Sequence, residues 1–202
     1  MPGRANLWAT PIIDHGDARI RDLASRLREE FPDDRKLLQS AHGYLVDSVK
    51  PIYSLQELQS ASHTLLKRRG SCSQRTACLE AIARACNVPT RARALRISGK
   101  FWYPRFRFFR VFIPKSILLV WPQLFLEGNW VDFDELYGSL LDLAKQTEHG
   151  FTNDGESIFD AVNHLPVDFL AKTCAVGCAC PGLAGCGKTP VSVHQGPSQE
   201  PC

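Results

Sequence analysis

Apolar side chains recur every three or four residues in the first part of the chain, a spacing typical of amphipathic helices. The first such helix carries Ile20, Leu23, Leu27 and Phe31. The second carries Leu37, Leu38, Ala41 and Leu45. Pro32 ends the first helix, because proline cannot continue a helical hydrogen-bond ladder. Ser54 and Glu57 form a capping-box pattern, which predicts a third helix running towards Lys67.

Residues 70–93 predict a fourth helix whose first turn carries a cysteine. A glycine and a serine precede Cys72, and helical spacing then continues until the chain reaches Pro89. A thiol in the first turn lies close to unpaired backbone N–H groups and to the positive end of the helix dipole, and both favour the thiolate. We therefore expect Cys72 to have a lower pKa than Cys78 and Cys86 and to react faster than either.

After the fourth helix the pattern changes to an alternation of apolar and polar residues, as in strands. Four strands are predicted, at residues 91–97, 106–113, 117–125 and 130–133. Two short helices should follow, one marked by Leu140 and Leu143 and one by the apolar positions between 158 and 165. Helices that come first and strands that come after indicate an α+β fold, with N-terminal helices packed on a mostly antiparallel sheet.

The 202 residues, 44% of them hydrophobic, are enough for one domain. We expect an extended lead-in at 1–16, the folded domain at 17–172, and a disordered tail rich in cysteine, glycine and proline at 173–202. The N-terminus lacks the apolar segment of an export signal, and the most apolar run, Ile117–Trp121, is too short to span a bilayer. These features predict a soluble, cytoplasmic protein with reduced cysteines and no membrane partner.

The net charge of +3 is small, but the basic residues are unevenly distributed. No acidic residue lies between Ala81 and Leu126, whereas this stretch contains Arg84, Arg91, Arg93, Arg96, Lys100, Arg105, Arg107, Arg110 and Lys115. Aromatic residues between Phe101 and Phe109 interleave with these charges, as on surfaces that stack single-stranded nucleic acid. Such alternation is more often a strand with one face in the core, so we do not expect a nucleic-acid partner.

The helix that starts at Cys72, the Asn-Val-Pro after it and the arginine-bearing strand that follows together resemble the transglutaminase-like superfamily. The downstream run VWPQLFLEGNWVDFDEL is similar to the family's second motif, whose places are taken by Trp121, Gly128, Trp130 and Asp134. The resemblance implies a papain-like fold and a Cys-His-Asp triad, with Cys72 as nucleophile and Asp134 as the acid. The family's histidine stands two residues before the first of these tryptophans, where this chain has Leu119.

The resemblance implies cysteine-dependent amide hydrolysis or acyl transfer on a peptide or protein substrate. Leu119 cannot accept a proton, and losing a general base typically lowers the rate by a factor of about 10²–10⁴. The alternative is a catalytically inactive transglutaminase-like fold that binds a peptide or another protein. Of the six histidines, all interpreted as surface residues, His149 is the first choice as a substitute base, and Asp132 shares the strand face of Asp134 and is a substitute acid.

Two patterns in the tail are interpreted as chance. Residues 182–189 match Gly-x4-Gly-Lys-Thr, but this phosphate-binding loop functions only between a buried strand and a helix. Four tail cysteines have spacings unlike those of familiar zinc sites: Cys174, Cys178, Cys180 and Cys186. We therefore expect neither a cofactor nor a metal ion.

Overall fold

The computed structural model describes residues 2–54, 56, 58–106, 108–147 and 150–167. Several predictions fall elsewhere in the chain. The disordered tail, the phosphate-loop match, the four tail cysteines and His149 all lie outside the described residues.

Four helices precede the main sheet, and each begins after a side chain that caps it. They are α1 (Ala18–Glu30), α2 (Asp34–Ser48), α3 (Ala61–Lys67) and α4 (Cys72–Ala85). The capping side chains are those of Asp17, Asp33, Ser60 and Ser71. Two shorter helices follow the sheet, α5 (Leu140–Gln146) and α6 (Ile158–Ala161). None of the helices within the described ranges is long and apolar enough to cross a membrane.

The sheet is antiparallel and has three strands. A pair of two-residue strands, β1 (Lys50–Pro51) and β2 (Arg69–Gly70), is separate from it and parallel. The main strands are β3 (Thr90–Ser98), β4 (Ser116–Leu126) and β5 (Asn129–Asp132), in the spatial order β3-β4-β5. The predicted α+β fold with a mostly antiparallel sheet is therefore confirmed.

Helix α4 is the centre around which the domain packs. Every residue of this helix from Gln74 to Arg84 is buried. The helix contacts α1, α2 and α3 on one side and β4 and α6 on the other. Leu79 and Ile82 are fully buried between these layers. Several elements pack around α4. Together they determine the position of its first turn, which carries Cys72.

The prediction of a strand at residues 106–113 is wrong. The segment forms turns and a 3-10 helix at Arg110–Phe112. Phe106 packs on Tyr53, with 5.1 Å between ring centroids, whereas Phe108 and Val111 are exposed to solvent. The aromatic residues here therefore do not follow the alternating burial of a strand, and the sheet passes directly from β3 to β4.

The third helix begins later than its predicted start at Ser54. Its N-cap is Ser60, and its first backbone N–H, that of Ala61, donates to the carbonyl oxygen of Ile12 at 2.8 Å. The carboxylate of Asp14 accepts a further backbone hydrogen bond from this first turn. Residues far away in sequence thus determine where α3 starts, and a local capping pattern does not reveal them.

The segment before α1 is anchored to α4 and β3 by a buried polar cluster. Arg84 donates to the carbonyl oxygen of Trp8 at 2.5 Å and to Oγ1 of Thr90 at 2.8 Å. The hydroxyl of Thr90 donates to the buried carboxylate of Glu80 at 2.7 Å, which lies 3.4 Å from Arg84. A turn of 3-10 helix, Arg4–Leu7, precedes these contacts. The lead-in is therefore held against the domain by side chains of α4.

Candidate active site around Cys72

Cys72 is the first residue of α4, so the predicted helix start is confirmed. Ser71 forms a capping box with Gln74: the Ser71 hydroxyl accepts the Gln74 N–H at 3.3 Å, and the Gln74 side chain accepts the Ser71 N–H at 2.9 Å. A Cβ atom on Gly70 would lie only 2.8 Å from the side chain of Thr64. A glycine before the cap therefore lets the chain enter the helix close to α3.

The thiol of Cys72 is desolvated, although the residue as a whole is only half-buried. This burial raises the pKa of Cys72 to about 12. The charge of Arg75, a backbone hydrogen bond from Phe159 and a side-chain hydrogen bond from Thr76 all lower the pKa, but they do not overcome the loss of water. Cys72 therefore does not have the expected lower pKa than Cys78, because the favourable end of the helix does not offset the burial of the thiol.

Burial also raises the pKa of the other two described cysteines. Cys78 and Cys86 are both buried, and burial raises the pKa of Cys78 to about 12 and also raises that of Cys86. As a whole residue, Cys72 is the least buried of the three. That it reacts fastest stays a prediction.

A buried ion pair lies beside Cys72. Arg75 follows one helical turn later and is fully buried, and its guanidinium nitrogen lies 2.5 Å from a carboxylate oxygen of Asp160 in α6. The same guanidinium donates to the Ser157 hydroxyl at 3.2 Å, and its carbon atom lies 4.4 Å from the centroid of the Phe159 ring. These contacts hold α6 against the first turn of α4.

His42 is buried in α2, which corrects its interpretation as a surface residue. Its Nε2 lies 2.6 Å from the carbonyl oxygen of Phe159, and its Nδ1 lies 2.8 Å from the hydroxyl of Tyr137. Because a carbonyl only accepts, the ring proton is on Nε2. Nδ1 faces the Tyr137 hydroxyl, which itself donates to the carbonyl oxygen of Gln39 at 3.0 Å. Burial, together with the nearby charge of Arg75, lowers the pKa of His42 to about 4. The imidazole is thus neutral at pH 7, with both nitrogens hydrogen bonded to groups other than Cys72.

Asp134 is buried and hydrogen bonded to an indole. Nε1 of Trp121 donates to its carboxylate at 3.0 Å. Burial raises the pKa of Asp134 to about 6, while the bond from Trp121 acts in the opposite direction. Asp132, the substitute acid, forms an ion pair with Arg93 at 2.7 Å. Each carboxylate therefore already has a partner of its own on the sheet.

Leu119 lies on the inward face of β4, together with Trp121. Leu119 is half-buried and packs against the core, while the intervening Val120 is 53% exposed. The Trp121 ring packs on Phe133 at 5.3 Å between centroids, and Phe133 packs on Phe159 at 5.4 Å. This face of β4 is thus directed towards the aromatic cluster that borders the candidate site.

Tyr53 and the chain after β3 border Cys72 on another side. Partial burial raises the pKa of the Tyr53 hydroxyl, Arg105 lowers it, and the nearby Cys72 raises it. Arg105 also donates to the carbonyl oxygen of Glu156, and its guanidinium carbon lies 5.7 Å from the centroid of the Tyr53 ring. Phe106 stacks on the same ring. These groups contribute to the exclusion of water from the thiol.

Sequence comparison agrees with this fold. The family model described as the transglutaminase-like superfamily matches residues 21–135, which is more than half of the chain and extends from α1 beyond β5. The matched range includes both Cys72 and Asp134. The chain therefore belongs to the transglutaminase-like superfamily. No curated protein and no solved structure matches it.

Three side chains grouped around Phe159, next to Cys72, were not identified as site residues from the sequence. His42 follows Leu38 by four residues and so lies on the apolar stripe of α2, a spacing that indicates burial. Arg75 is three residues after Cys72 and so faces the same side of α4. Asp160 follows Ser157 at the spacing of a helix cap, but no local pattern connects it to Arg75.

We expect Asp134→Asn to stabilise the domain at pH 7. Burial raises the pKa of this carboxyl from 3.8 to about 6, so folding favours the neutral form. In the wild type, the stabilising contribution of the neutral Asp134 carboxyl is fully present below pH 4 and is lost as the pH rises to 6. The free energy of unfolding falls by up to about 3 kcal/mol as a result. Asparagine carries no charge and keeps an oxygen for Trp121. Urea unfolding should show the gain above pH 6 and little difference at pH 4.

His42 opposes this pH dependence in the wild type. Its pKa is lowered, so its contribution is present above pH 6.5 and is lost as the pH falls to about 4. The two groups partly cancel over the same pH range. Asp134→Asn should therefore uncover a steeper loss of stability on acidification than the wild type shows. A difference between the two proteins that stays constant from pH 4 to pH 7 would contradict this account.

Proposed function

We propose that this transglutaminase-like domain binds a peptide or another protein and does not use Cys72 for amide hydrolysis or acyl transfer. The observation that carries the proposal is the bonding of His42, the buried histidine of this site, whose two ring nitrogens lie against Tyr137 and Phe159 and not against Cys72. Burial also raises the pKa of the Cys72 thiol to about 12, so the thiol form predominates at pH 7. The thiolate is the form that attacks a carbonyl carbon, so this site has almost no nucleophile at neutral pH.

The surroundings of Cys72 give the same indication. A nucleophilic cysteine needs a base within hydrogen-bond reach and a third group that orients the base. Both nitrogens of His42 are occupied, and Asp134 holds the indole of Trp121. Leu119 stands at the position where the family motif has its histidine. Among the residues that the structure describes, the groups that would form a triad are thus replaced or bonded elsewhere, which supports a binding role.

A surface cavity of about 400 Å³ offers a place for a peptide side chain. It lies between α2 and the segment that joins β5 to α5, and its lining includes Arg35, Gln39, Glu127, Val131, Tyr137 and Ser139. Its volume is within the range of small-ligand sites, and Val131 and Tyr137 give it an apolar part.

Arg35 makes one wall of this cavity rigid. Its guanidinium bonds Glu127 at 2.7 Å and the carbonyl oxygens of Glu135 and Leu136 at 3.2 and 3.1 Å. These bonds join α2 to the chain on both sides of β5. A pre-formed cavity loses little conformational entropy when a ligand binds, which favours a role in recognition.

The test of this function has a chemical arm and a binding arm. In the chemical arm, wild type and Cys72→Ser are incubated with a glutamine-containing protein and a fluorescent primary amine, and we expect equal background labelling. In the binding arm, peptides selected from a displayed random library on the wild type should bind Val131→Lys at least about tenfold more weakly. Val120→Lys, on the exposed side of β4, is the matched control and should bind normally. Amine incorporation that disappears in Cys72→Ser, or selected peptides that bind both lysine variants equally, would overturn the proposal.

A further inference from the structure

The connection between β3 and β4 carries a surface that the proposed function does not use. We call residues 99–115 the basic aromatic loop. Its two ends meet closely: the Gly99 N–H donates to the Lys115 carbonyl oxygen at 3.0 Å, and a Cβ atom on Gly99 would lie 1.8 Å from the Pro114 carbonyl oxygen. Only glycine fits at this base, so the loop leaves the sheet at a defined point.

The loop separates its apolar side chains into an inner and an outer set. Phe101 packs on Phe151, and its carbonyl oxygen accepts a hydrogen bond from Asn153 at 2.9 Å. Phe106 packs on Tyr53. The outer set forms the tip and is exposed: Phe108 94%, Phe109 61%, Val111 92% and Phe112 81%. Since the inner set anchors the loop to the domain, the tip is held outward by structure, and such a patch marks a contact site.

Basic side chains accompany this apolar tip. Lys100, Arg110 and Lys115 are exposed within the loop, and Arg96 is exposed on the adjoining strand β3. The guanidinium carbon of Arg110 lies 5.5 Å from the ring centroid of Tyr103. No acidic residue occurs in the sequence between Ala81 and Leu126, so every charged side chain of the loop is basic.

We propose that the basic aromatic loop binds the surface of an anionic lipid bilayer. Phe108, Val111 and Phe112 enter the boundary between headgroups and acyl chains, and the neighbouring basic side chains contact anionic headgroups. An apolar tip surrounded by lysine and arginine has the two components of peripheral membrane binding, which are buried apolar area and electrostatic attraction. This contact needs no membrane-spanning segment, and it departs from the sequence-based expectation of no membrane partner.

The exposure of the tip favours a bilayer over a nucleic acid or a peptide. Stacking on bases requires flat rings along a groove, and Val111, which is 92% exposed, has no ring. A peptide groove covers its lining side chains from both walls, whereas Phe108 is 94% exposed. A bilayer accepts aliphatic and aromatic side chains alike and needs no groove.

Co-sedimentation of the full chain with lipid vesicles tests the proposal. We expect binding to phosphatidylcholine vesicles that contain about 30 mol% phosphatidylserine, weaker binding at high salt, and little binding to phosphatidylcholine alone. The double variant Phe108→Ser, Phe112→Ser should lose at least about tenfold in partition coefficient. Leu141→Ser, at a position 71% exposed on α5, is the control and should bind as the wild type does. All four residues of the tip are exposed, so the double variant should keep the thermal unfolding midpoint of the wild type.

Three results would overturn the proposal. The first is anionic-vesicle binding that is unchanged in the double variant. The second is an equal loss in Leu141→Ser. The third is failure to bind vesicles together with tip-dependent binding of a single-stranded oligonucleotide, which would assign the surface to nucleic acid.

Discussion

Leu119→His is expected to raise the alkylation rate of Cys72 at pH 7 by about tenfold and to move its pH profile to lower pH. The side chain at position 119 lies on the inward face of β4 beside Trp121. Trp121 packs on Phe133, and Phe133 packs on Phe159. An imidazolium that reaches the sulfur favours the thiolate. If the pKa of Cys72 falls by about two units, about 100-fold more thiolate is present at pH 7. A less basic thiolate is also a weaker nucleophile, and this reduces the gain in rate to about tenfold.

The matched control for this experiment is Val120→His. Val120 is 53% exposed on the opposite face of β4, so its imidazole should leave the Cys72 profile as in the wild type. Mass-mapped alkylation across the pH range, with the thermal midpoint of each variant, gives the comparison. An unchanged profile in a folded Leu119→His variant would mean that this strand face does not reach the thiol.

Asp160→Asn is expected to lower the free energy of unfolding by about 3–5 kcal/mol at pH 7. Arg75 is fully buried, and the variant leaves its charge without a counter-ion 2.5 Å away. The variant also removes a charge that raises the pKa of Cys72, so the thiol should ionise at lower pH. Urea unfolding measures the first effect, and the alkylation profile measures the second.

Asp142→Asn is the matched control for the buried pair. Asp142 pairs with Lys145 at 3.1 Å on the exposed side of α5, where water screens the ion pair and leaves it little effect on stability. Replacing Arg75 and Asp160 together with leucine should recover much of the stability, because no buried charge remains. Equal losses of unfolding free energy in Asp160→Asn and Asp142→Asn would show that the buried ion pair contributes no more to stability than the exposed one.

Part of the candidate site could be predicted from neighbouring residues alone. The start of α4 at Cys72 follows from Ser71 and Gln74, which bond each other across a single turn. The inward direction of Leu119 follows from its spacing of two from Trp121. These features depend on hydrogen bonds and periodicity within about four residues, which a sequence displays directly.

The acid–base properties of the site, in contrast, could be obtained only from the tertiary structure. The pKa of Cys72 depends on Phe159 and Asp160, which lie more than eighty residues later in the chain. His42 was expected at the surface, but α6 and its neighbours cover it. The family motif assigned a role to Asp134, and the fold decided that it holds an indole. The sequence determined the positions of these side chains along helix and strand. The tertiary structure alone decided their charge, because desolvation is a sum over all groups that the fold brings together.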